Sequence, residues 1–434
     1  VTWTPGDEAL LLDLLRLDTT TPMESSRSGE LPEAMRRYAA EAAALGFTEA
    51  HFGPAPADAL EDRHVPAAVS DMIDTMGPDF LRAQPSLVLS LGDGPRERTI
   101  AFNFHLDTVS GHVPVRRDGG VIFGRGAVDD KGPGVALLAG IRDALARSPR
   151  LSERVRVLVQ VVAGEEGGAM GVYGTRVLAG LGHLGRLNVV AEPTRSGFLD
   201  RSTASMTLRL SAHGKGSIDD EPEVGENATL LLGFVATWFG SRVLPAVHEA
   251  GGTACLAGLH TGSAHNRVYG TGSLLVNFAY RDRATADLIE TIVAREVSSA
   301  LDEFAAVFGA HPATSATAKA ASRILRTDWL KRGLPTLDNR DPEAERLLRS
   351  VGFPRHDNAD GGLRPFTCDA IWLQHPDSYT VVCGPGDLAW NNAHAENEHI
   401  AIADLVDYTT RISALLRGFA DWCGAPLTEV ITGG

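Results

Sequence analysis

Seven side chains far apart along the chain are of the types that hold and use metal ions: His105, Asp107, Asp129, Glu165, Glu166, Glu192 and His394. Two divalent ions need two imidazoles, a carboxylate to bridge them and one further carboxylate each. His105, Asp129 and Glu192 make one such set, and Asp129, Glu166 and His394 make the other. This mixture of nitrogen and oxygen donors suits zinc first and also tolerates cobalt or manganese. Asp107 lies two residues past His105, so on an extended strand the two side chains point the same way. Its carboxylate can then accept the second imidazole N–H and fix the ring. Glu165 adjoins a ligand but points elsewhere, which makes it the candidate general base for a water whose pKa the ions lower towards ~7. The chemistry implied is metal-assisted hydrolysis.

Such a constellation needs a scaffold, and the intervening pattern supplies one. The apolar run Thr99 to Phe104 leads into His105-Leu106-Asp107, and the turn G-R-G-A-V-D-D-K-G at 124–132 leads into an apolar helix over 135–146. A strand over 155–162 ends in Gly164-Glu165-Glu166-Gly167-Gly168, and one over 188–191 ends in Glu192-Pro193-Thr194. Three successive strands thus end in acids beside glycine or proline, and in open α/β sheets ligands gather beyond the carboxyl ends of strands. Each piece alone has a plain structural explanation. A Glu-Glu pair before glycines is often a solvated helix start, E-P-T is ordinary turn chemistry, and one late histidine is commonly a surface residue. Order and placement together favour the site.

Further strands are expected over 86–91 and 379–383, and helices over 7–17, 31–45, 342–351 and 402–419. The segment 51–85, broken by four prolines, reads as an extended excursion with one helix near 79–84. From Ser205 the texture changes: strand 205–211, helix 227–239, strand 274–280, helical region 284–308 and a last strand over 322–330. The Ala/Thr-rich stretch 313–321 shows no clear element. The expected organisation is a metal-binding α/β domain, 1–202 with 333–434, interrupted by a compact α+β insert over 203–332.

Bulk properties narrow the partners. A length of 434 residues exceeds one ordinary core, and 44% hydrophobic with 22% charged residues is a globular composition. The net charge of −15 disfavours nucleic acid and anionic membranes as partners. No run of 18 apolar residues is seen, so no membrane span is expected. Cys255, Cys368, Cys383 and Cys423 are scattered without a C-x-x-C pair, and the N-terminus has no basic region before its apolar residues. The expectation is a cytoplasmic protein with free thiols.

The motifs F-H-L-D-T-V (104–109), G-R-G-A-V-D-D-K-G (124–132), G-E-E-G-G (164–168), E-P-T (192–194), T-C-D-A (367–370), C-G-P-G (383–386) and H-A-E-N-E (394–398) carry a resemblance. Together they resemble the co-catalytic metallopeptidases that include succinyl-diaminopimelate desuccinylase, acetylornithine deacetylase, aminoacylase and bacterial glutamate carboxypeptidase. The resemblance covers essentially the whole chain. It implies a zinc-exopeptidase-like mixed sheet sandwiched by helices, the metal and base roles given above, and a cis peptide after Asp129. It also implies that the insert is a ferredoxin-like lid through which two copies dimerise.

The lid segment G-K-G-S-I-D-D-E-P-E-V-G-E-N-A (214–228) is similar to the family's pattern but has Ile218 where that pattern has histidine. The resemblance gives that histidine a role across the dimer, polarising the scissile carbonyl. His213 lies five residues earlier, and Ile218 could also be plain lid packing. Asn266 and Arg281 resemble residues that the family brings to substrate, Arg281 as a fork for a carboxylate or else as a strand-end ion pair. Gly361 and Gly362 suggest a flexible loop near the substrate side chain. The leading expectation is hydrolysis of the amide bond of an N-acyl amino acid or small peptide. A lyase, cyclase or amide-forming enzyme on the same metal scaffold is the alternative that Ile218 motivates, and a metal-dependent binding protein comes third.

Overall fold

The computed structural model describes residues 3–424 apart from 26, 28, 63 and 357–362. The chain divides into two compact units, one of residues up to Ser202 with those from Leu337 onward, the other Thr203–Thr336. In the larger unit the strands, in chain order, are β1 (Thr48–Gly53), β2 (Ser86–Leu91), β3 (Thr99–His105), β4 (Arg116–Asp118), β5 (Val121–Phe123), β6 (Arg156–Val162), β7 (Leu187–Pro193) and β8 (Arg201–Ser202). After the smaller unit come β15 (Leu337–Asp338), β16 (Tyr379–Gly384) and β17 (His399–Ala401). Where the chain leaves and re-enters the larger unit, β8 and β15 pair antiparallel.

Six of these strands form a mixed sheet in the order β1-β2-β6-β3-β7-β16. Strands β6, β3, β7 and β16 are mutually parallel, with β2 antiparallel to β6 and β1 antiparallel to β2. Every residue of β3, β7 and β16 is buried, as expected for parallel strands covered on both faces. The two-residue alternation divides each strand between two cores. Ile100, Phe102 and Phe104 of β3 join the main cluster, with Val157, Val159 and Val161 of β6, while Ala101, Leu158 and Val162 face the other way. The helix Lys131–Arg147 packs into the main cluster and is buried almost all round, which its run V-A-L-L-A-G-I permits. Helix Ile402–Gly424 runs beside it, Ile412 filling the space that Gly140 leaves open. The parallel set therefore brings the carboxyl ends of β3, β6, β7 and β16 to one edge.

Two parts of the larger unit depart from expectation. The segment 51–85 is not an extended excursion: β1 starts at Thr48, helix Ala67–Met76 follows Pro66, and helix Pro78–Arg82 follows Gly77. Three of the four prolines precede or begin these elements, where a fixed φ and a missing N–H do no harm. The short hairpin β4–β5, to which β17 adds, has only three residues per strand, too few for a periodic signal.

In the smaller unit, taken by itself, the strands are β9 (Ala204–His213), β10 (Ser217–Ile218), β11 (Thr253–His260), β12 (Arg267–Val268), β13 (Thr271–Tyr280) and β14 (Leu325–Lys331). Its sheet is antiparallel with the order β11-β13-β9-β14, and the chain runs strand–helix–strand–strand–helix–strand, the ferredoxin-like arrangement. Strand β11 escapes a sequence reading because Thr253–His260 holds two alanines and a glycine among few β-formers. The Ala/Thr-rich stretch is the helix Pro312–Ile324, with Pro312 in its first turn and alanine as the strongest helix former. Consequently the last strand begins at Leu325 rather than Ser322.

One expectation about membranes needs amending. Ala228–Trp238, a π turn at Phe239–Val243 and Leu244–Glu249 form one continuous helix, long and apolar enough by length and composition to cross a membrane. Ser241 and Arg242 interrupt its apolar run, so a count of consecutive apolar residues passes over it. Its buried positions Ala228, Leu231, Leu232, Val235, Phe239, Val243 and Val247 recur every three or four residues, the stripe of a helix laid on its own unit's core.

Candidate active site

His105 is the last residue of β3 and is buried. Its Nδ1 lies 2.8 Å from the Asp107 main-chain oxygen, and its Nε2 lies 2.9 Å from Asp129 Oδ1 and 3.8 Å from Glu192 Oε1. Asp107 thus steadies the ring through its carbonyl and not through its carboxylate, whose Oδ1 stays 3.8 Å from Nδ1. The chain has left the strand by Leu106, so the expected side-by-side projection does not hold. The Asp107 carboxylate instead accepts the Glu166 backbone N–H at 3.1 Å, tying the end of β6 to the end of β3.

Asp129 turns its two oxygens to two imidazoles. Oδ1 meets His105, and Oδ2 lies 3.0 Å from His394 Nε2, which is also 2.9 Å from Glu166 Oε1. The peptide between Asp129 and Asp130 is cis. The two expected sets are therefore brought together, one imidazole and two carboxylates in each, with Asp129 in both. The groupings of closest potential donors are His105 with Asp130 and Glu192, and His105 with Asp129 and Glu166. Asp130, given no role from sequence, is fully buried, and among the described residues neither of its side-chain oxygens has a hydrogen-bond partner.

These residues fit divalent cations on chemical grounds. With its Nδ1–H given to a carbonyl, a neutral His105 directs its Nε2 lone pair at carboxylate oxygens, an arrangement that a cation between them resolves. His394 has one N–H at Nε2 and two carboxylate oxygens competing for it. Asp129, Asp130, Glu165, Glu166 and Glu192 crowd five carboxyl groups against two imidazoles at low dielectric. Burial, reinforced by neighbouring acids, drives Glu165, Glu192 and Asp130 well above the usual carboxylate range and Glu166 up to about 7. Burial pushes Asp129 the same way, but the two imidazoles, when each carries a proton at Nε2, outweigh it with hydrogen bonds and hold Asp129 below its ordinary value. The hydrogen bonds to Asp129 and Glu166, against burial, raise His394 to about 11.

Glu165 is only partly buried, and no hydrogen bond or ion pair is recorded to its carboxylate among the described residues. Gly164 before it adopts φ +79°, and a Cβ there would strike the Tyr173 ring at 2.1 Å, so the turn that presents Glu165 requires glycine. On the neighbouring strands, Gly384 N donates to Thr194 Oγ1 at 2.9 Å, and a Cβ on Gly384 would lie 2.2 Å from the Ala191 carbonyl. The E-P-T and C-G-P-G motifs are thus one packed pair of strand ends.

A second residue without a sequence-derived role is Glu398. Its Oε1 accepts the backbone N–H groups of Gly126, Val128 and Asp129 at 2.9, 3.2 and 3.4 Å, and its Oε2 takes Arg125 at 2.6 Å. The last acid of H-A-E-N-E therefore holds the turn that carries Asp129. The only sequence signal is its place in that motif, because the partner turn lies some 270 residues away.

The residues expected from the smaller unit are placed differently. Asn266 and Arg281 are exposed, and among the described residues neither side chain forms a hydrogen bond or ion pair. Ile218 is 55% exposed and is not packed, and it pairs across the β10–β12 ladder with Arg267. His213, at the end of β9, turns its Nε2 to Ser211 Oγ at 3.1 Å. Gly361 and Gly362 lie outside the described residues.

A mixed α/β sheet with paired imidazoles and carboxylates at its carboxyl edge, interrupted by a ferredoxin-like unit, defines the class of metallopeptidase-like hydrolases. The profile of peptidase family M20/M25/M40 matches residues 101–418, and the chain belongs to this family. It is 28% identical over 406 residues, 92% of this chain and 91% of the other, to a protein of Aeropyrum pernix provisionally named a LysW-lysine/LysW-ornithine hydrolase. Its fold is similar to that of the M20 family metallo-carboxypeptidase Sso-CP2 from Sulfolobus solfataricus, with a TM-score of 0.66 at 12% identity over 96% of this chain and 100% of that one. It is also similar to the YXEP protein of Bacillus subtilis, described as a dinuclear metal binding peptidase, with a TM-score of 0.55 at 10% identity over 95% and 97% of the two chains. The chain is accordingly an enzyme of the amidohydrolase or peptidase kind, and nothing favours the lyase-, cyclase- or ligase-type alternative.

Proposed function

We propose that the chain is a two-metal hydrolase that cleaves the amide bond of an N-acyl amino acid or small peptide, with Glu165 as its general base. The observation that carries this reading is the division of Asp129 between His105 and His394, each imidazole facing a second carboxylate, beside a Glu165 whose carboxylate has no partner among the described residues. His105, Asp129 and Glu192 would hold one ion, and Asp129, Glu166 and His394 the other, with zinc the first candidate and cobalt or manganese next. When bound, such ions supply Lewis acidity and a water that ionises near neutral pH. Glu165 takes the proton from the attacking water and returns it to the leaving nitrogen, so the carboxylate must start unprotonated and end so. Asp107 keeps the His105 ring in place through its carbonyl, and its carboxylate fixes the backbone between Glu165 and Glu166.

The amide class is supported by the likeness to the Aeropyrum relative, named a LysW-lysine/LysW-ornithine hydrolase, and to the fold relatives described as a metallo-carboxypeptidase and a peptidase. The proposal includes a homodimer formed through the smaller unit, whose β11 is an edge strand, with Asn266 and Arg281 acting on substrate. It also keeps the chain in a reducing, cytoplasmic setting that suits its four free cysteines. The test is metal analysis with an amidase screen over N-acyl amino acids and di- and tripeptides. Glu165→Gln should bind metal as the parent does and lose turnover by about 10²–10⁴-fold. Full metal loading with no hydrolysis across the panel, or turnover indifferent to Glu165→Gln, would overturn the reading.

A further inference from the structure

Trp390 is 68% exposed, the most exposed of the large hydrophobic side chains described, yet it is held firmly. The Arg195 guanidinium lies over one face of its ring, 3.8 Å from the centroid. Arg195 is itself fixed by Asp387, whose Oδ2 accepts from its Nε at 2.6 Å. The other oxygen of the buried Asp387 accepts the backbone N–H groups of Ala389 and Trp390 at 2.9 and 2.8 Å. The Asp387 N–H donates to Asn391 Oδ1 at 2.8 Å, and Arg195 N donates to Gly386 O at 2.7 Å. Ring, guanidinium and loop therefore form one interlocked unit. A merely solvated loop has no need of an indole fixed in this way, because exposing that much apolar surface gains nothing from burial.

Its location gives the unit a use. Arg195 stands three residues past Glu192, and Trp390 four residues before His394, on the two strand ends that β7 and β16 bring together. Four residues of chain span at most about 14 Å, which bounds the separation of the Trp390 and His394 backbones to about the length of a small peptide. With one face covered by Arg195, the opposite face is open, flat and apolar, with an adjacent cation that makes the indole a good stacking partner for another π-system. Because ring and loop are already ordered, stacking costs little further conformational entropy.

We propose that Trp390, backed by Arg195, is a specificity-determining residue that stacks an aromatic side chain or aromatic acyl group of the amide substrate. This rests on the amidohydrolase reading above, and the experiment separates the two. Metal-loaded enzyme is assayed on N-acetyl-L-phenylalanine and N-acetylglycine, and binding of N-acetyl-L-phenylalanine is followed independently by isothermal titration calorimetry. In Trp390→Ala, the ratio of KM for the aromatic to that for the glycine compound should rise about tenfold, and the affinity measured by calorimetry should fall by a similar factor. Trp390→Phe, which keeps a ring, should recover most of both. An unchanged ratio and affinity in Trp390→Ala, an equal shift for both compounds, or a Trp390→Phe variant as poor as alanine would overturn the proposal. If neither compound is cleaved, the calorimetric titration alone decides in the same terms, whereas failure of the amide reading is registered by the Glu165→Gln comparison.

Discussion

At the carboxyl edge of the large sheet, His105, Asp129, Glu166 and Glu192 are buried and within 4 Å of an oppositely charged or chargeable neighbour. In the smaller unit, Ile218, Asn266, Arg267 and Arg281 stand in solvent, and only Ile218 and Arg267 share a ladder. The backbone shows the same contrast. The non-glycine residues with positive φ, Met170, Arg195, Ser196, Asn392, His394 and Asn397, all lie in the larger unit, in the loops after β6, β7 and β16. Such conformations persist only where surrounding structure enforces them, and they cluster where geometry has to be fixed in advance. A cation cage must be rigid before substrate arrives, because loosely held carboxylates would separate from one another. Within the smaller unit no hydrogen bond or ion pair fixes the Ile218, Asn266 or Arg281 side chain, whereas His213 is tied to Ser211.

The largest effect that would break this contrast is expected at its centre. Asp129→Ala removes the side chain whose two oxygens lie 2.9 and 3.0 Å from the two imidazoles, and it should abolish binding of both ions and reduce turnover to background. Chelation offers a readout independent of activity. A ligand that binds only the native state adds stability as RT ln(1 + [L]/Kd), about 2.7 kcal/mol at a hundredfold excess over Kd. Removing metal with a chelator should therefore lower the melting temperature of the parent by several degrees and leave that of Asp129→Ala almost unchanged. An equal chelator shift in the two proteins would mean that the ions sit elsewhere.

How far the sequence reaches follows the same division. That these side chains meet was legible because His105 ends β3 while Glu166 and Glu192 stand at the ends of β6 and β7 beside glycine or proline, and a parallel sheet brings such ends together whatever the length between them. Asp130 and Glu398 were not legible as working groups. One is masked by its ligand neighbour, and the other acts through backbone N–H groups on a turn remote in sequence. The Asp107 role was read on the wrong atom, since spacing along a strand predicts side-chain direction but not where the strand stops. Around residues 51–85 the prolines read as breaks, whereas Pro66 and Pro78 adjoin helix starts. Strand β11 and the helix Pro312–Ile324 were missed because alanine-rich stretches take their state from packing that the local pattern does not encode.

An intermediate effect is expected one step away from the ions, at Glu398. Glu398→Gln keeps an oxygen for the three N–H groups of the Gly126–Asp129 turn but places an amide against Arg125. Residues that hold a ligand in place typically change metal affinity by 10–100-fold, and a conservative replacement belongs at the lower limit, about tenfold. A competitive chelator titration measures it, with turnover at saturating metal close to that of the parent. Unaltered affinity would show that the turn holds its own shape and that Glu398 is merely buried there.

The smallest effect, and the one that sharpens the comparison most, concerns Ile218. A well-oriented donor at a developing oxyanion is worth on the order of 10²–10³ in rate, but that value requires supporting contacts. Ile218 is exposed, its cross-strand neighbour is Arg267, and Asp219 and Asp220 follow it in the chain. A histidine in its place would be neutral beside the guanidinium and able to donate, yet unsupported, so Ile218→His should raise kcat by no more than about tenfold. Stability should change little, within about 0.5 kcal/mol, since the site is on the surface. The measurement is kcat and KM on the best amide from the panel, with the oligomeric state checked alongside. A gain confined to kcat would place residue 218 near the reacting carbonyl in the working enzyme. No gain in an intact assembly would mean that the larger unit carries the chemistry without a donor from this ladder, so that the isoleucine forfeits nothing.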